Sequence, residues 1–313
     1  MWIYKNKKIK FKKYFSPTEE GIFEIKILFK NKIKNCSYMF NKCNEIIYID
    51  LSFFDTSQVT NMSYMFSECT NLENIILPNA SAKNVTDMSY MFNKCSELKK
   101  IEFPEKFTTE NLENMASMLH SCQNLCEINF PSTFKTDKVT TMKRLFGKCY
   151  NIKNLVLIFF NTEQVKDMSY MFEQCNNLEE IIINESTFQT YNVTSMAHMF
   201  KDCEKLKNID VSFFDIKNVK YTSYMFADCK KLDEVKFTYS NNNTEANMVH
   251  MFDGCKNIKM IDISHFTVND PSKVESMFDN IYNNVTIIAN QNCLNNYKKI
   301  FKKIEKNFYV EEV

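Results

Sequence analysis

The cysteines are the residues of this 313-residue chain with the clearest capacity for chemistry, because there are 12 of them and most recur at a nearly constant interval. Nine lie 26 to 28 residues apart, at Cys43, Cys69, Cys95, Cys122, Cys149, Cys175, Cys203, Cys229 and Cys255. A thiolate array could bind metal or carry redox equivalents, but structural zinc sites use close pairs such as C-x₂-C. The nearest pair, Cys122 and Cys126, takes its second member from outside the periodic set. We therefore predict buried, reduced, structural thiols, with no metal and no cofactor.

The four histidines do not form a catalytic set. His198 and His250 occupy one position of the repeat, whereas His120 and His265 occupy two others. Nucleophilic catalysis needs a nucleophile, a base and an orienting group that converge. No spacing in this chain brings such groups together, so we predict no catalytic residues and no enzymatic activity.

Glycine content excludes another class of function. Only Gly21, Gly147 and Gly254 are present, and they are far apart. Dinucleotide fingerprints and phosphate loops need clustered glycines to let the backbone approach a phosphate. The formal net charge of +1 gives no electrostatic signature for nucleic acid. Neither a nucleic acid nor a small-molecule substrate is expected as a partner.

The periodic cysteines mark a repeated unit, which is clearest over residues 54–77. Its first half has apolar residues at helical spacing, with Thr60 as a plausible N-cap: Val59, Met62, Met65, Phe66 and Cys69. Its second half alternates, with Ile75 and Leu77 on one side of a strand and Asn74 and Ile76 on the other. A tenth copy around Met277 and Phe278 has Ile281 in place of the cysteine.

Variation in the length of the repeat falls in one loop, between the strand and the next Phe. Constant register in the rest of the unit predicts a stacked solenoid, in which each coil buries its apolar face against its neighbours. We assign residues 1–20 to an N-terminal cap, 21–290 to the solenoid and 291–313 to a C-terminal capping helix. The apolar stripe of that helix comprises Tyr297, Ile300, Phe301, Ile304 and Phe308. Its lysines also fit a helix lying on a membrane, but the need to cover the last coil favours capping.

The motif Val-Thr-x-Met-Ser-Tyr-Met-Phe-x-x-Cys-x-x-Leu-x-x-Ile, at 59–75 and 85–101, resembles the BspA-type leucine-rich repeat of bacterial and protist surface proteins. The resemblance covers roughly residues 22–290. It implies an α/β right-handed solenoid of about ten coils, with a parallel β-sheet on one face and short helices on the other. It also implies adhesion and protein recognition, and it carries over no catalytic residue.

The outward residues of the predicted strands form the candidate binding surface. Seven of them are acidic and two, Lys100 and Lys236, are basic. The predicted protein-binding residues are Asp50, Glu102, Glu127, Glu180, Asp210, Glu234 and Asp262, interspersed with Ile76, Val156, Ile182 and Met260. Such a surface suits a basic or amphipathic segment of another protein. Two alternatives stay open: an ordinary solvated sheet face, or a partner bound by the tyrosines that share the position of Tyr64.

We therefore expect a non-enzymatic repeat scaffold for protein–protein recognition, with a cell-surface adhesin or antigen as the alternative. No signal peptide or transmembrane stretch is visible, which favours an intracellular location. The family resemblance favours the cell surface instead. Membrane contact is not expected.

Overall fold

The structure is a computed structural model, and it describes residues 2–4, 7–9, 21–22, 24–27, 29, 31–237, 245–289 and 308–312. Strands of three to five residues recur once per repeat along most of this length. They are β1 (Trp2–Tyr4), β2 (Lys7–Ile9), β3 (Ile25–Ile27), β4 (Tyr48–Asp50), β5 (Asn74–Ile76), β6 (Lys100–Glu102), β7 (Glu127–Asn129), β8 (Asn154–Val156), β9 (Glu180–Ile182), β10 (Glu234–Lys236), β11 (Met260–Asp262), β12 (Val285–Ala289) and β13 (Phe308–Glu312).

The repeats stack as a parallel β-solenoid. The strands pair in parallel as β4 with β5, β6 with β7 and β8 with β9, and β10 to β13 form one four-stranded sheet. The register is equivalent in each pair, as in Ile101 opposite Ile128 and Leu155 opposite Ile181. A second parallel ladder, one residue wide, begins with Asn35 opposite Asn61 and ends with Tyr221 opposite Asn247. Its eight bridges join nine successive coils. The repeat period therefore fixes the stacking on two sides of each coil.

The predicted short helices are wrong. Among the described residues the single helical element is a 3₁₀ helix, Pro271–Val274, and the segments predicted as helices are tandem turns. The amides of Met65, Ser67 and Cys69 donate to the carbonyl oxygen three residues earlier, while those of Tyr64 and Phe66 donate to Ser89 and Met91 of the next coil. An α-helix would satisfy all of these amides internally. Apolar residues at i, i+3 and i+7 fit both structures, which is why the pattern was misleading.

Two positions per coil have positive φ, and this explains the turns. Tyr64 has φ of 56° and Glu68 has φ of 62°, and equivalent residues recur in every coil from Tyr38 to Asn280. Positive φ at the third residue of a turn is the signature of type II geometry. We call the segment of each coil that carries these turns the turn wall. Thr60, predicted as a helix N-cap, instead donates its hydroxyl to the Lys34 carbonyl of the preceding coil at 3.2 Å.

The core lies between the strands and the turn wall and is built from columns of identical side chains. Phe172 is fully buried and stacks on Phe146 and Phe200, with ring centroids 5.6 and 5.3 Å apart. A second column holds buried threonines, such as Thr56, whose hydroxyl donates to the Ser81 carbonyl of the next coil at 2.8 Å. Each coil alone has a thin core, so stability comes from the contact between coils.

The two ends depart from the repeat. At the N-terminal end, β1 pairs antiparallel with both β2 and β3. At the C-terminal end, β13 pairs parallel with β12 and extends the sheet. The predicted capping helix therefore does not include 308–312, because those amides and carbonyls belong to a sheet ladder. The rest of that prediction, including Tyr297 and Ile300, lies outside the described residues.

Candidate functional site

The strand face places most of the predicted binding residues as expected. The outward side chains of β4 to β9 are exposed and the central one is buried or half-buried. Met260 and Asp262, on β11, are only half-buried, as is Lys236 on β10. Asp210 is exposed, but it lies in no strand, because residues 207–210 lack the ladder of hydrogen bonds that defines one. One bond, from the Asp233 amide to the Lys207 carbonyl at 3.1 Å, joins this segment to the next coil.

Ion pairs with lysines interrupt the row of acidic residues on the strand face. The Nζ atom of Lys100 lies 2.8 Å from Glu127 and 3.7 Å from Glu102, and Lys236 lies 3.5 Å from Glu234. Hydrogen bonds from Lys100 and Asn129 lower the pKa of the Glu127 carboxyl. These pairs are exposed and contribute little to stability. They do neutralise part of the charge, so the strand face is less uniformly acidic than the sequence indicates.

Three of the acidic residues stabilise turns of the backbone. The carboxylates of Asp50, Asp210 and Asp262 each accept the backbone amide two residues later, at 2.8, 2.8 and 3.0 Å. This is the Asx turn, in which an aspartate side chain closes a turn against its own backbone. These aspartates turn the chain as it leaves the strand face, so their recurrence has a structural cause.

Apolar side chains form the most distinctive feature of the strand face. Val156 and Ile182 stand opposite one another on β8 and β9 and are 47% and 42% exposed. Phe159, which follows β8, is 45% exposed and lines a depression with Glu102 and Asn129. Exposed branched aliphatic side chains are costly in water when they lie side by side. We call Val156, Ile182 and Phe159 the apolar patch.

The periodic cysteines occupy the core, with Cys43 at the first coil only half-buried. Each thiol from Cys69 to Cys255 donates to the carbonyl oxygen of the Phe or Leu three residues before the previous cysteine, at 3.0 to 3.2 Å. Burial raises the pKa of the Cys69 and Cys149 thiols to about 12. A protonated donor thiol is a poor nucleophile and a poor metal ligand. The described residues contain no group of three or more potential ligands placed to hold a metal ion.

The turn wall carries a ladder of stacked planar side chains, all at the first positive-φ position of each coil. Tyr38, Tyr64 and Tyr90 stack with centroid separations of 4.6 and 4.5 Å. A second run continues through Tyr170, His198, Tyr224 and His250 at 4.5, 4.8 and 4.6 Å. The tyrosines that share the position of Tyr64 in the sequence therefore form a row in space, and most of their rings stack on a neighbouring ring.

The histidines are separated along this wall. His198 lies inside the ladder, where burial lowers its pKa to about 4 and its Nδ1 atom is buried without a hydrogen-bond partner. His120 is held at 3.1 Å by both Asn93 and Ser121. His250 lies 2.9 Å from Asp253. In the described contacts, no two of these rings approach a common nucleophile.

These features define a class: a parallel β-solenoid made of tandem repeats, with one strand face and one turn wall open to partners. By its sequence, the chain belongs to the family described as "Mycoplasma protein of unknown function, DUF285", which it matches over residues 34–156, 140–260 and 239–309. Curated proteins provide no match. Within the described residues, no helix has the length and apolar character needed to cross a membrane.

Solved structures similar to this chain include bacterial leucine-rich repeat proteins. A leucine-rich repeat protein from Bacteroides ovatus is 14% identical over 92% of this chain and 90% of its own, with a TM-score of 0.38. A leucine rich cell surface protein from Faecalibacterium prausnitzii is 14% identical over 84% and 64%, also at 0.38. The strand pairs and bridges described above define the fold.

Proposed function

We propose that this protein is a non-enzymatic repeat scaffold whose strand face binds another protein. The observation that carries the proposal is the apolar patch, in which Val156 and Ile182 are exposed side by side on paired strands. Adjacent exposed hydrophobes on a rigid, otherwise polar surface are typical of protein-binding sites. A repeat scaffold binds with little ordering cost, because its backbone is already fixed by the stacking of coils.

The partner's chemistry follows from the neighbours of the apolar patch. Glu180 lies on the same strand as Ile182, and no ion pair of its carboxylate is found among the described residues. Glu127 and Glu102 lie one and two coils before Val156 and share the single cation Lys100. A basic or amphipathic segment would place apolar side chains on the patch and its charges beside Glu180. Charge would then raise the association rate, and apolar contact would lower the dissociation rate.

The repeat motif of the sequence supports a wider proposal about family and location. BspA-type membership, adhesion and a cell-surface location are proposed from the repeat motif, with an intracellular scaffold as the second candidate. Labelling intact cells with an antibody against the folded array decides between them. Staining without permeabilisation supports the adhesin, and staining that requires permeabilisation contradicts it.

The test of the strand face uses paired variants. Val156→Asn with Ile182→Asn removes the paired aliphatic side chains of the apolar patch, and Asn is already tolerated at the equivalent Asn129 of β7. Proteins cross-linked to the wild-type array in a lysate of the source cells are identified, purified and titrated individually. We expect at least about tenfold weaker binding to the double variant for the true partner. Equal affinity for both arrays would contradict the proposal.

Two charge-reversal variants, a test and a control, measure the contribution of charge on the strand face. Glu127→Lys, Glu180→Lys and Glu234→Lys together should slow association, and the effect should shrink as salt rises. The matched control reverses Glu97, Glu110 and Glu113, three residues that are exposed but lie outside the strands. An equal slowing in the control would show that net charge, and no particular surface, governs the rate.

A further inference from the structure

The chain leaves the strand face one residue earlier in the coil of β8 than in the coil before it. In the coil of β7, the turn that follows the strand is closed by the Phe134 amide, which donates to the Pro131 carbonyl at 3.0 Å. In the coil of β8, the same turn is closed by Phe160 and Leu157, also at 3.0 Å. Leu157 follows β8 directly, whereas Pro131 lies two residues after the end of β7. The turn after β8 is therefore set back towards the sheet.

This step in the backbone lies beside a depression of about 460 Å³ at the ends of β6, β7 and β8. Its apolar lining includes Pro104, Pro131 and Phe159, above the buried rings of Phe103 and Phe130. Phe159 is 45% exposed, and none of the described rings stacks on it. Prolines and core rings fix the shape of the depression, so an occupant would meet a preformed surface at little ordering cost.

The charge in the depression has one sign. Glu102 and Glu105 line it, and no lysine or arginine of the described residues does. Lys100 lies 3.7 Å from Glu102 but is closer to Glu127, at 2.8 Å. Glu105 forms no ion pair within the described part of the chain. The side-chain amide of Asn129, which also lines the depression, already donates to Glu127 at 3.0 Å. The two carboxylates of the depression are therefore open to a cation from outside the chain.

Apolar walls and carboxylates together select among possible occupants. A purely apolar side chain would take the carboxylates partly out of water without giving them a partner, which is costly. Arginine has an apolar stem and a planar, weakly hydrated head that stacks on rings and pairs with carboxylates through two parallel hydrogen bonds. Two coils separate Glu105 from Phe159, which is roughly 9–10 Å along the axis. The stem can therefore lie beside Phe159 and Pro131 while the head points towards Glu105.

We propose that this depression is a subsite for one arginine side chain of the protein segment that binds the strand face. The inference rests on the proposed function and names the residue by which the partner is anchored. Val156 lies three residues before Phe159, and Ile182 stands opposite Val156 on the next strand. In an extended segment, which rises about 3.3 Å per residue, an aliphatic side chain two or three residues from the arginine would reach both.

The experiment measures the binding of short peptides to the intact protein by calorimetry. The probe is the acetylated, amidated hexapeptide Gly-Arg-Gly-Leu-Val-Gly, compared with peptides that have citrulline, lysine or leucine in place of arginine. Citrulline keeps the shape of arginine and lacks its charge. We expect saturable binding of the arginine peptide, with the citrulline and leucine peptides about tenfold weaker and the lysine peptide weaker than arginine. Equal binding of the arginine peptide and any of the others, or no saturable binding of the arginine peptide, would overturn the proposal.

Variants locate the binding. Glu105→Gln keeps the size of the side chain and should weaken the arginine peptide about fivefold or more, without a change for the citrulline peptide. Phe159→Ala removes the exposed ring and should also weaken the arginine peptide about fivefold. The matched control is Phe53→Ala, because Phe53 is exposed three residues after β4 as Phe159 is after β8, and it should leave binding unchanged. Unchanged affinity in both Glu105→Gln and Phe159→Ala would overturn the subsite.

The Val156→Asn and Ile182→Asn variant separates this inference from the proposed function. It retains Glu105 and Phe159, so it should bind all four peptides more weakly and still prefer arginine to citrulline about tenfold. If arginine has no advantage but the isolated partner binds this variant more weakly, the subsite is wrong and the strand-face proposal stands. If arginine has its advantage but the partner binds this variant as tightly as the wild type, the strand-face proposal is wrong, and the subsite loses its role in that partner's binding.

Discussion

The thiol of Cys95 donates a hydrogen bond to the carbonyl oxygen of Phe66 in the preceding coil, with 3.1 Å between the two atoms. The same carbonyl accepts the amide of Cys69 in its own coil, also at 3.1 Å. This position therefore requires a small apolar side chain that also donates a hydrogen bond to the previous coil, and cysteine meets both requirements. This double requirement accounts for its recurrence better than packing alone.

Removal of one such thiol should destabilise the solenoid measurably. For Cys149→Ala we expect a loss of about 1–2 kcal/mol in the free energy of unfolding, because a buried contact and a donor are both lost. Urea unfolding followed by circular dichroism gives the value. Cys126→Ala, at an exposed position, is the control and should cost less than about 0.5 kcal/mol. Equal losses would contradict the structural role of the periodic thiols.

The thiols should also make the protein sensitive to alkali. Burial holds the pKa of Cys69 and Cys149 at about 12, above the ordinary value of 9.0. Between these values the unfolded chain binds fewer protons than the folded one, so the free energy of unfolding falls as pH rises from about 9 towards 12. Each thiol contributes up to roughly 1.4 kcal/mol per pH unit. Chemical denaturation at pH 8 and pH 10 measures the slope, which should be shallower in Cys149→Ala.

Thiol reactivity gives an independent measurement. In the native protein at pH 8, we expect the periodic thiols to react slowly with an aromatic disulfide reagent, because they are buried and protonated. Replacement of the exposed Cys126 by Ser should remove one rapidly reacting equivalent. In denaturant without reductant, at least nine free thiols should be counted. A lower count would show that periodic cysteines are oxidised, contrary to the prediction from the sequence.

The phenylalanine column should dominate stability. Phe172→Ala leaves a cavity between Phe146 and Phe200 and should cost about 3–5 kcal/mol. Phe53, which is fully exposed in the loop after β4, is the matched control, and its replacement by Ala should cost under about 0.5 kcal/mol. Thermal unfolding of the two variants provides the comparison. Similar losses at both positions would mean that the core column has been misidentified.

Replacement of Gly254 tests whether the turn wall needs a left-handed backbone at this position. Its φ is +72°, and an added Cβ would lie 2.5 Å from the Asp228 carboxylate. Gly254→Ala should therefore cost about 1 kcal/mol from the left-handed backbone, with a shift of the Asp228 side chain. Lys256→Ala, at an exposed position of the same coil, should be close to neutral. A neutral Gly254→Ala would indicate that this turn can relax.

The sequence predicted the period and the strands well because both depend on burial. Ile101 is buried between exposed Lys100 and Glu102, as alternation requires. It failed on the turn wall, since Tyr, Lys and Arg at positive φ give no compositional sign of a turn, and residues that favour such turns, Asp202, Asp228, Gly254 and Asn280, recur only in the later coils. It also failed to show the pairing of Lys100 with Glu127, which depends on where two long side chains meet.

The hydrogen bonds of the turn wall give this side of the solenoid an electrical polarity. In each coil four amides, such as those of Met62, Tyr64, Phe66 and Glu68, point towards the C-terminal neighbour, and one, that of Thr60, points back. Aligned peptide dipoles add, as they do along an α-helix. Here the positive end lies towards the C-terminal coils, which is the reverse of an α-helix. A negatively charged group would therefore be attracted more strongly to the C-terminal end of the turn wall than to its N-terminal end.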